Sequence, residues 1–348
     1  MQTPGSLGYY FPAEFDLHIA TWLSWPHKEA SWPGKIQSIY PFYARFVREL
    51  SLGEKVRINV SGREMKEEAL AWISRAEGEA DIENVEFYFN PTNDAWCRDH
   101  GPAFLINPSA SQKKIIVDWD YNAWGNKYPP YELDDVIPTR IGEQFGLPVY
   151  HPGIIMEGGS VDFNGKGVLI TSTACLLNQN RNPHLNKKQI ENYLINYYGV
   201  SQVLWISEGI LGDDTDGHID DTVRFVNEDT VLTVVETDPE DANYERLQKN
   251  LSELQAMRLS GGRPLNIVEI PMPEPLYYEG QRLPASYANF YIANQSVIVP
   301  SYRCEKDEWA LEIIAELFPG RRVIGIDSTD IIWGLGSFHC LSQQEPAV

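Results

Sequence analysis

A cysteine lies eight residues from the end of the chain, within the glycine-containing segment Gly334-Leu-Gly-Ser-Phe-His-Cys340. A thiolate is the best nucleophile that a side chain offers near neutral pH. Free cysteines are also among the most buried residues and pack like small hydrophobes. Taken alone, Cys340 is therefore compatible with either a catalytic nucleophile or a buried structural thiol.

Three upstream motifs supply acids and a histidine that could act on such a thiol. They are Asn93-Asp-Ala-Trp-Cys-Arg-Asp-His-Gly-Pro102, Met156-Glu-Gly-Gly-Ser160 and Asp213-Asp-Thr-Asp-Gly-His-Ile-Asp-Asp221. In a strand, His218 and Asp220 would share one face because side chains alternate. Each motif alone also has a structural interpretation, such as an Asx turn with an Arg98–Asp ion pair or a plain glycine turn. Their joint occurrence favours a catalytic site.

Common metal and nucleotide patterns do not fit these motifs. A calcium loop counted from Gly217 would end at Val223 instead of glutamate. His218 has no nearby His or Cys with which to bind zinc, and Gly334-x-Gly336 lacks the third glycine of a dinucleotide loop. The remaining histidines are expected to be structural, with His339 facing away from Cys340: His18, His27, His100, His151, His184 and His339.

The composition limits the class of partner and the compartment. The formal net charge of −21 disfavours nucleic acid and anionic membranes. It suits a cationic small molecule, although solubility alone explains acidity equally well. The chain has no apolar run of roughly 18 residues and no basic, apolar leader. Its cysteines, at positions 97, 175, 304 and 340, form no C-x-x-C pair. We therefore predict a cytoplasmic protein with reduced thiols.

Apolar periodicity predicts an α/β protein with a repeated unit. Helices are predicted at 36–50, 63–78, 132–146, 186–198, 240–258 and 306–317, with a break or kink at Pro138. A short strand follows each helix, and a polar loop then leads into a hairpin of two apolar strands. No linker or low-complexity segment interrupts the pattern, so residues 1–348 are predicted to form a single catalytic domain.

The residues whose side chains could take part in chemistry occupy one equivalent place in these units, the loop that enters the first hairpin strand. They are Asp99, Glu157, His218, Ser286 and Cys340, about 54 to 68 residues apart. A ring of such units would bring these loops together at one end of its axis. The N-terminal run His18–Trp25 could pair with the last hairpin and close the ring.

Several acids, a histidine and a cysteine around one cleft predict a guanidinium substrate. A guanidinium is planar, permanently charged and well matched by bidentate carboxylates. Carboxylates could hold the cation while a thiolate attacks its carbon. A nearby positive charge, on the substrate or on the histidine, would stabilise that thiolate. The histidine could then protonate departing ammonia and activate water.

The sequence resembles the agmatine deiminase and bacterial peptidylarginine deiminase family of guanidine-modifying enzymes. The resemblance rests on Pro12-Ala-Glu14, Ala20-Thr-Trp-Leu-Ser-Trp-Pro26, Asn93-Asp-x-Trp-x-Arg-Asp99-x-Gly-Pro102, Glu157-Gly-Gly, Asn180-Arg-Asn-Pro-His184, Gly217-His-Ile-Asp220, Ser286-Tyr-Ala-Asn-Phe290 and His339-Cys340 with Gln343-Gln344. It implies a five-bladed α/β propeller (pentein fold) of pseudo-fivefold ββαβ units, with no metal and no organic cofactor.

By this resemblance, Cys340 is the nucleophile and His218 the general acid and base. Asp99 and Asp220 grip the guanidinium, and Glu157 orients the guanidinium or His218. The reaction is then a deimination through a covalent thiouronium, which releases ammonia and leaves a ureido product.

The resemblance also leaves a set of candidates for the rest of the substrate. Trp96 would pack on the substrate. The distal ammonium of agmatine would meet acids or aromatic faces among Asp94, Asp213, Asp214, Asp216, Trp119 and Trp124.

Alternatives remain open for the substrate and for the class of reaction. Arginine or peptidylarginine would need a cation for its carboxylate, for which Arg98, Arg181 and Arg303 are the candidates. The family's glycine run before the terminal Ile-His-Cys is interrupted here by Leu335 and Phe338, which affects the pocket shape. An amidinotransferase, a non-catalytic polyamine-binding protein and a homo-oligomer also remain open.

Overall fold

The structure is a computed structural model that describes residues 2–348. The strands are β1 His18–Ser24, β2 Lys55–Asn59, β3 Val85–Tyr88, β4 Ala103–Ile106, β5 Lys114–Val117, β6 Val149–Tyr150, β7 Val161–Phe163, β8 Val168–Ser172, β9 Gln202–Ile206, β10 Val223–Phe225, β11 Thr230–Val235, β12 Asn266–Pro271, β13 Tyr277–Tyr278, β14 Gln281–Arg282, β15 Tyr291–Ile292, β16 Ser296–Ser301, β17 Arg322–Asp327 and β18 Ser342–Pro346. The helices are α1 Ile36–Ser51, α2 Arg63–Arg75, α3 Cys97–His100, α4 Ala123–Asn126, α5 Glu132–Asp135, α6 Ile137–Phe145, α7 Thr173–Leu176, α8 Lys187–Tyr198, α9 Tyr244–Ala256 and α10 Lys306–Leu317.

The predicted helices are confirmed, with one instructive interruption. The helix predicted at 132–146 consists of α5 and α6, which are separated at Val136. Pro138 stands in the first turn of α6, where the missing amide hydrogen of proline costs no helical bond. The prediction of a break at this proline therefore holds.

The strands form a mixed α/β fold in which one arrangement recurs. Sheets β4-β5-β6, β7-β8-β9, β10-β11-β12 and β15-β16-β17 each combine an antiparallel hairpin with a parallel third strand. A helix precedes each third strand. The hairpins predicted from the sequence are thus confirmed. Within residues 2–348 the sheets are separate, and none of them closes on itself.

The two ends of the chain meet in the remaining large sheet, whose order is β18-β1-β2-β3. Strand β18 runs antiparallel to β1, with Leu23 opposite Ser342 and His18 opposite Pro346. Strand β1 is parallel to β2. The N-terminal run therefore supplies the strand that the last hairpin lacks, as the sequence predicted. This pairing fixes Cys340, two residues before β18, although it lies near the end of the chain.

Buried aromatic and aliphatic side chains fill the space between these elements. In one large cluster, buried side chains of α1 and β2 pack together with Phe338 and Leu341 of the C-terminal segment. Among residues 2–348, no helix has both the length and the apolar character needed to cross a membrane.

The buried side chain of Glu345 links the C-terminal strand β18 to neighbouring strands through polar contacts. Its Oε2 accepts a hydrogen bond from Trp22 Nε1 of β1 at 2.9 Å and forms an ion pair with Arg57 of β2. Its Oε1 accepts from Lys114 Nζ of β5 at 2.9 Å. Because this carboxylate is buried, its removal would leave Arg57 paired only with Glu86 and would leave Trp22 Nε1 without its acceptor.

Replacing Glu345 by Ala should lower the free energy of unfolding by about 3 kcal/mol, because one partner of a buried ion pair is lost. The measurement is a denaturant titration of both proteins. Glu316→Ala is the matched control, since Glu316 is exposed on α10. Equal unfolding midpoints for the two variants would contradict this account of the C-terminal strand.

Candidate active site

Cys340 lies in the loop between Ser337 and β18, and its thiol lines the main cleft. Asn289 holds this loop from the neighbouring unit. Its Nδ2 donates to Cys340 Sγ at 3.0 Å, and its Oδ1 accepts from the backbone nitrogens of Ser337 and Cys340 at 3.2 and 3.3 Å. One amide side chain therefore fixes both the backbone and the sulfur of the candidate nucleophile.

The acids and the histidine predicted from the sequence converge on this thiol. Asp220 Oδ2 lies 3.6 Å from Cys340 Sγ. His218 Nδ1 lies 3.7 Å from Asp99 Oδ1 and 4.0 Å from Asp220 Oδ1. Glu157 Oε2 is 4.0 Å from His218 Nε2. The structure thus brings together five residues that span more than two thirds of the chain.

A single-turn helix and a glycine loop position Asp99. Its Oδ1 accepts from the backbone nitrogen of Gly159 at 2.9 Å, and its Oδ2 accepts from Trp124 Nε1 at 3.0 Å. Burial raises the pKa of Asp99 to about 6; the charge of His218 opposes this rise, and the carboxylates of Asp220 and Glu157 add to it. Asp99 is thus partly protonated in mildly acidic solution.

Asp213 positions His218 through the backbone. The Asp213 Oδ2 atom accepts from the nitrogens of Gly217 and His218 at 2.9 and 3.0 Å. Gly217 has a φ of 105°, a conformation that favours glycine. His218 precedes a 3₁₀ turn, Ile219–Asp221. The strand considered for His218 and Asp220 is therefore wrong, and a turn brings the two side chains to the same place.

The ring of His218 is buried among negative charges. Burial lowers its pKa, but the charge of Asp99, the neighbouring Cys175 and the charge of Asp220 raise the pKa well above the usual value for histidine. The pKa of the Cys340 thiol is shifted in the same direction, which keeps the thiol neutral. Burial and the carboxylates of Asp220, Asp221 and Asp99 raise its pKa well above the usual value. Without a bound cation, the pair is therefore an imidazolium and a neutral thiol.

Several polar atoms of this cluster have no hydrogen-bond partner among residues 2–348. They are Glu157 Oε2, both ring nitrogens of His218, and Asp220 Oδ1. Burying such atoms without a partner costs free energy. Free carboxylate oxygens around a thiol therefore form a site for a ligand that donates several hydrogen bonds and carries positive charge.

Gly159 allows this convergence. A Cβ atom at residue 159 would lie 2.5 Å from His218 Nδ1, 2.9 Å from Asp99 Oδ1 and 3.1 Å from Asp220 Oδ2. The two glycines after Glu157 are therefore needed for close approach, and the plain-turn interpretation does not account for them.

Two donor sets in the site have ligand atoms within 4.8 Å of one another: Glu157 with Cys175 and His218, and Asp220 with Asp221 and Cys340. A metal ion would need thiolates and a neutral imidazole. The raised pKa values of Cys175, His218 and Cys340 keep protons on those atoms and oppose metal binding.

The thiol opens into a cleft of about 760 Å³. Of the side chains predicted to bind substrate, five line this cleft: Asp94, Trp96, Trp124, Asp213 and Asp214. Trp96 packs against the terminal segment, where a Cβ on Gly336 would lie 2.7 Å from its ring.

The acids predicted for the distal end of the substrate already have partners. Asp94 lies 3.3 Å from Lys28 Nζ and accepts from Ser31 at 2.6 Å. Asp214 lies 3.4 Å from Lys127 Nζ and accepts from the Tyr128 hydroxyl. Their charges are therefore largely compensated before any ligand binds.

Two other predicted residues lie outside the lining of the cleft. Asp216 is bound by Arg181 Nη1 at 2.6 Å, Lys127 Nζ at 2.8 Å and Asn180 Nδ2 at 2.9 Å. Trp119 packs against Tyr198 and lines a separate cavity of about 20 Å³. Neither residue is placed to contact the distal end of a ligand in the cleft.

Several residues around the site were missed as contributors. Glu14, Arg224 and Asn289 lie far apart in the sequence and are buried around the cluster. Glu14 and Asn289 occur within motifs that carry the family resemblance, which was the available signal. The ring of His339 bonds to Asp220 and Glu14, so it takes part in the charged network of the site.

Comparison with known proteins identifies the family. Residues 10–346 match the family described as Porphyromonas-type peptidyl-arginine deiminase. The chain belongs to this family. Among curated members, the agmatine deiminase of Pseudomonas syringae pv. tomato is 34% identical over 368 residues, which cover 99% of this chain and 97% of the relative.

Solved structures of this deiminase family agree with the fold. The agmatine deiminase of Enterococcus faecalis superposes with a TM-score of 0.90 at 30% identity, covering 99% of this chain and 98% of that one. A cysteine-to-serine variant of the C. jejuni agmatine deiminase with bound substrate superposes with a TM-score of 0.87 at 35% identity, covering 97% and 96%. The resemblance to agmatine and peptidylarginine deiminases is thereby confirmed.

Replacing Gly159 by Ala should destabilise the protein by about 2 kcal/mol, because the added methyl group overlaps buried polar atoms of His218, Asp99 and Asp220. Gly320→Ala is the control, since a Cβ there meets nothing within 4 Å. The measurement is the free energy of unfolding. An unchanged value for Gly159→Ala would contradict the close packing described here.

Proposed function

We propose that this protein hydrolyses agmatine to N-carbamoylputrescine and ammonia through a covalent intermediate on Cys340. The observation that carries the proposal is the set of free, buried carboxylate oxygens around one thiol. The relatives named agmatine deiminase support the choice of substrate.

The guanidinium would bind between Asp99 and Asp220. Asp220 Oδ1 has no partner among residues 2–348, and neither does Glu157 Oε2. Each oxygen can accept a hydrogen bond from the planar cation. The cation also neutralises carboxylates that raise the pKa of Cys340. Substrate binding would therefore lower the thiol pKa and release its proton to solvent.

The thiolate would then attack the guanidinium carbon and form a carbon–sulfur bond. His218 donates a proton to one nitrogen, the carbon–nitrogen bond breaks, and ammonia leaves. An S-alkylthiouronium remains on Cys340. Neutral His218 next takes a proton from water as the water oxygen attacks the same carbon. The carbon–sulfur bond breaks, the proton of the added hydroxyl group passes to the sulfur, and the ureido product leaves while the Cys340 thiol is restored.

The charges in the cleft favour agmatine over arginine. An α-carboxylate would need a free cation, but Lys28 pairs with Asp94 and Arg282 pairs with Asp241 at 2.7 Å. Aromatic rings of Trp124 and Tyr128 also line the cleft. Such faces attract an ammonium group. Arginine or peptidylarginine is therefore the second candidate.

We further propose that residues 1–348 form one domain in which the repeated sheets are the blades of a five-bladed propeller. The recurrence of a hairpin with a parallel strand supports this arrangement. The pairing of β18 with β1 supplies the closing contact that a ring requires.

Cys340→Ala and His218→Ala should each lower kcat for ammonia release from agmatine by at least about 1,000-fold, because the nucleophile or its acid–base partner is lost. Cys304→Ala and His151→Ala are matched controls that do not line the cleft, and both should retain turnover. Ammonia and ureido product are measured for agmatine, arginine and an arginyl peptide in buffer without an acceptor amine.

Each outcome of this experiment has a distinct consequence. Turnover of arginine or peptide above that of agmatine would replace the substrate assignment. Product formation that requires an added amine would indicate an amidinotransferase. Wild-type turnover by Cys340→Ala would contradict the covalent mechanism.

A further inference from the structure

His339 lies between two buried carboxylates. Its Nδ1 is 2.6 Å from Asp220 Oδ2, and its Nε2 is 2.8 Å from Glu14 Oε2. The side chain of His339 is only 2% exposed. An ionised carboxylate accepts hydrogen bonds and cannot donate them. Both ring nitrogens must therefore carry protons, so His339 is an imidazolium.

Glu14 is held in its charged form from several sides. Its Oε2 accepts from Arg98 Nη2 at 2.9 Å. Its Oε1 accepts from Arg224 Nη2 at 2.8 Å and from the backbone nitrogen of Ile292 at 2.9 Å. Burial raises the pKa of Glu14, but Arg224, His339 and Arg98 together hold it well below the usual value. Glu14 thus supplies a fixed negative charge to His339.

The charged ring of His339 acts in turn on Asp220. Burial raises the pKa of Asp220, and the hydrogen bond and charge of His339 are the largest influences that lower it; the net pKa lies below the usual value. Asp99, the second carboxylate near the thiol, has the more distant His218 ring at 3.7 Å as its cation, and burial still raises its pKa to about 6. The hydrogen bond to Oδ2 also leaves Asp220 Oδ1 directed away from His339 and free to accept.

We propose that Glu14 and His339 are positioning residues, which keep Asp220 ionised and orient its free oxygen toward the guanidinium. This inference rests on the proposed function for its kinetic consequence. The geometry of the Glu14–His339–Asp220 linkage stands independently of the substrate. The other titratable and charged groups that face Asp220 are His218, Cys340, Asp99, Asp213, Asp221 and Arg224.

The linkage predicts the shape of the pH profile. Asp99 and Asp220 must both be ionised to bind the cation. Of these two carboxylates in the wild-type protein, Asp99 alone gains a proton near pH 6, so kcat/KM should fall about tenfold per pH unit below that value. Without the imidazolium, the folded-state pKa of Asp220 rises toward that of Asp99. Activity then requires two deprotonations in the same range and should fall about a hundredfold per pH unit.

The kinetic test compares His339→Gln and Glu14→Gln with the wild-type protein on agmatine between pH 4.5 and 9. His339→Gln keeps the ion pairs of Glu14 with both arginines, so it remains informative if Glu14→Gln does not fold. His27→Gln is the control, because His27 contacts only the backbone carbonyls of Trp25 and Thr92. A steeper acid limb in the His339 or Glu14 variant alone supports the proposal. A loss of activity by the same factor at every pH overturns it.

A second readout does not depend on turnover. In protein labelled with ¹⁵N-histidine, the ring of His339, assigned from its absence in His339→Gln, should carry a proton on both nitrogens, each bonded to a carboxylate. In Glu14→Gln the signal of the Nε2 proton should shift or disappear, because its carboxylate acceptor is lost. A wild-type ring with a proton on only one nitrogen overturns the linkage. Failure of the wild-type protein to release ammonia from agmatine, with the ring still charged, overturns the proposed substrate and leaves the linkage supported.

Discussion

Burying an ionised carboxylate costs several kcal/mol unless cations or hydrogen-bond donors compensate it, and this constraint governs the centre of the protein. Glu14 is compensated in full, by Arg98, Arg224 and His339. Asp220 is compensated at one oxygen only, and its Oδ1 has no partner among the described residues. The remaining negative charge raises the pKa of Cys340 and creates affinity for a cation. Binding of the proposed substrate and activation of the candidate nucleophile would thus be two consequences of the same imbalance.

The fold serves to hold that imbalance in place. Each repeated unit contributes one loop to the site, and the loops come from distant parts of the chain. The thiol lies in the last of these loops, close to the chain end. This loop is held because β18 pairs with β1 and Glu345 is buried against three other strands. The rigidity of the terminal segment therefore comes from the N-terminal strand, the element most distant from it in sequence.

Much of this arrangement is predictable from the sequence because it rests on local patterns. Apolar periodicity located the helices and hairpins, and the spacing of Asp99, Glu157, His218 and Cys340 predicted their convergence. The role of His339 was not predictable, because a histidine beside a cysteine carries no local sign of where its ring points. The distal acids could not be assigned either. The pairing of Asp216 with Arg181 and Lys127 depends on side chains that only the tertiary fold brings together.

We infer that Asp99 and Asp220 hold a planar cation beneath the thiol of Cys340. A crystal structure of Cys340→Ala with bound agmatine tests this placement most directly. The account predicts that the guanidinium nitrogens lie within hydrogen-bond distance of both carboxylates, with the guanidinium carbon facing the side chain at position 340. A guanidinium bound elsewhere in the cleft, with these carboxylates making no contact to it, would contradict the account.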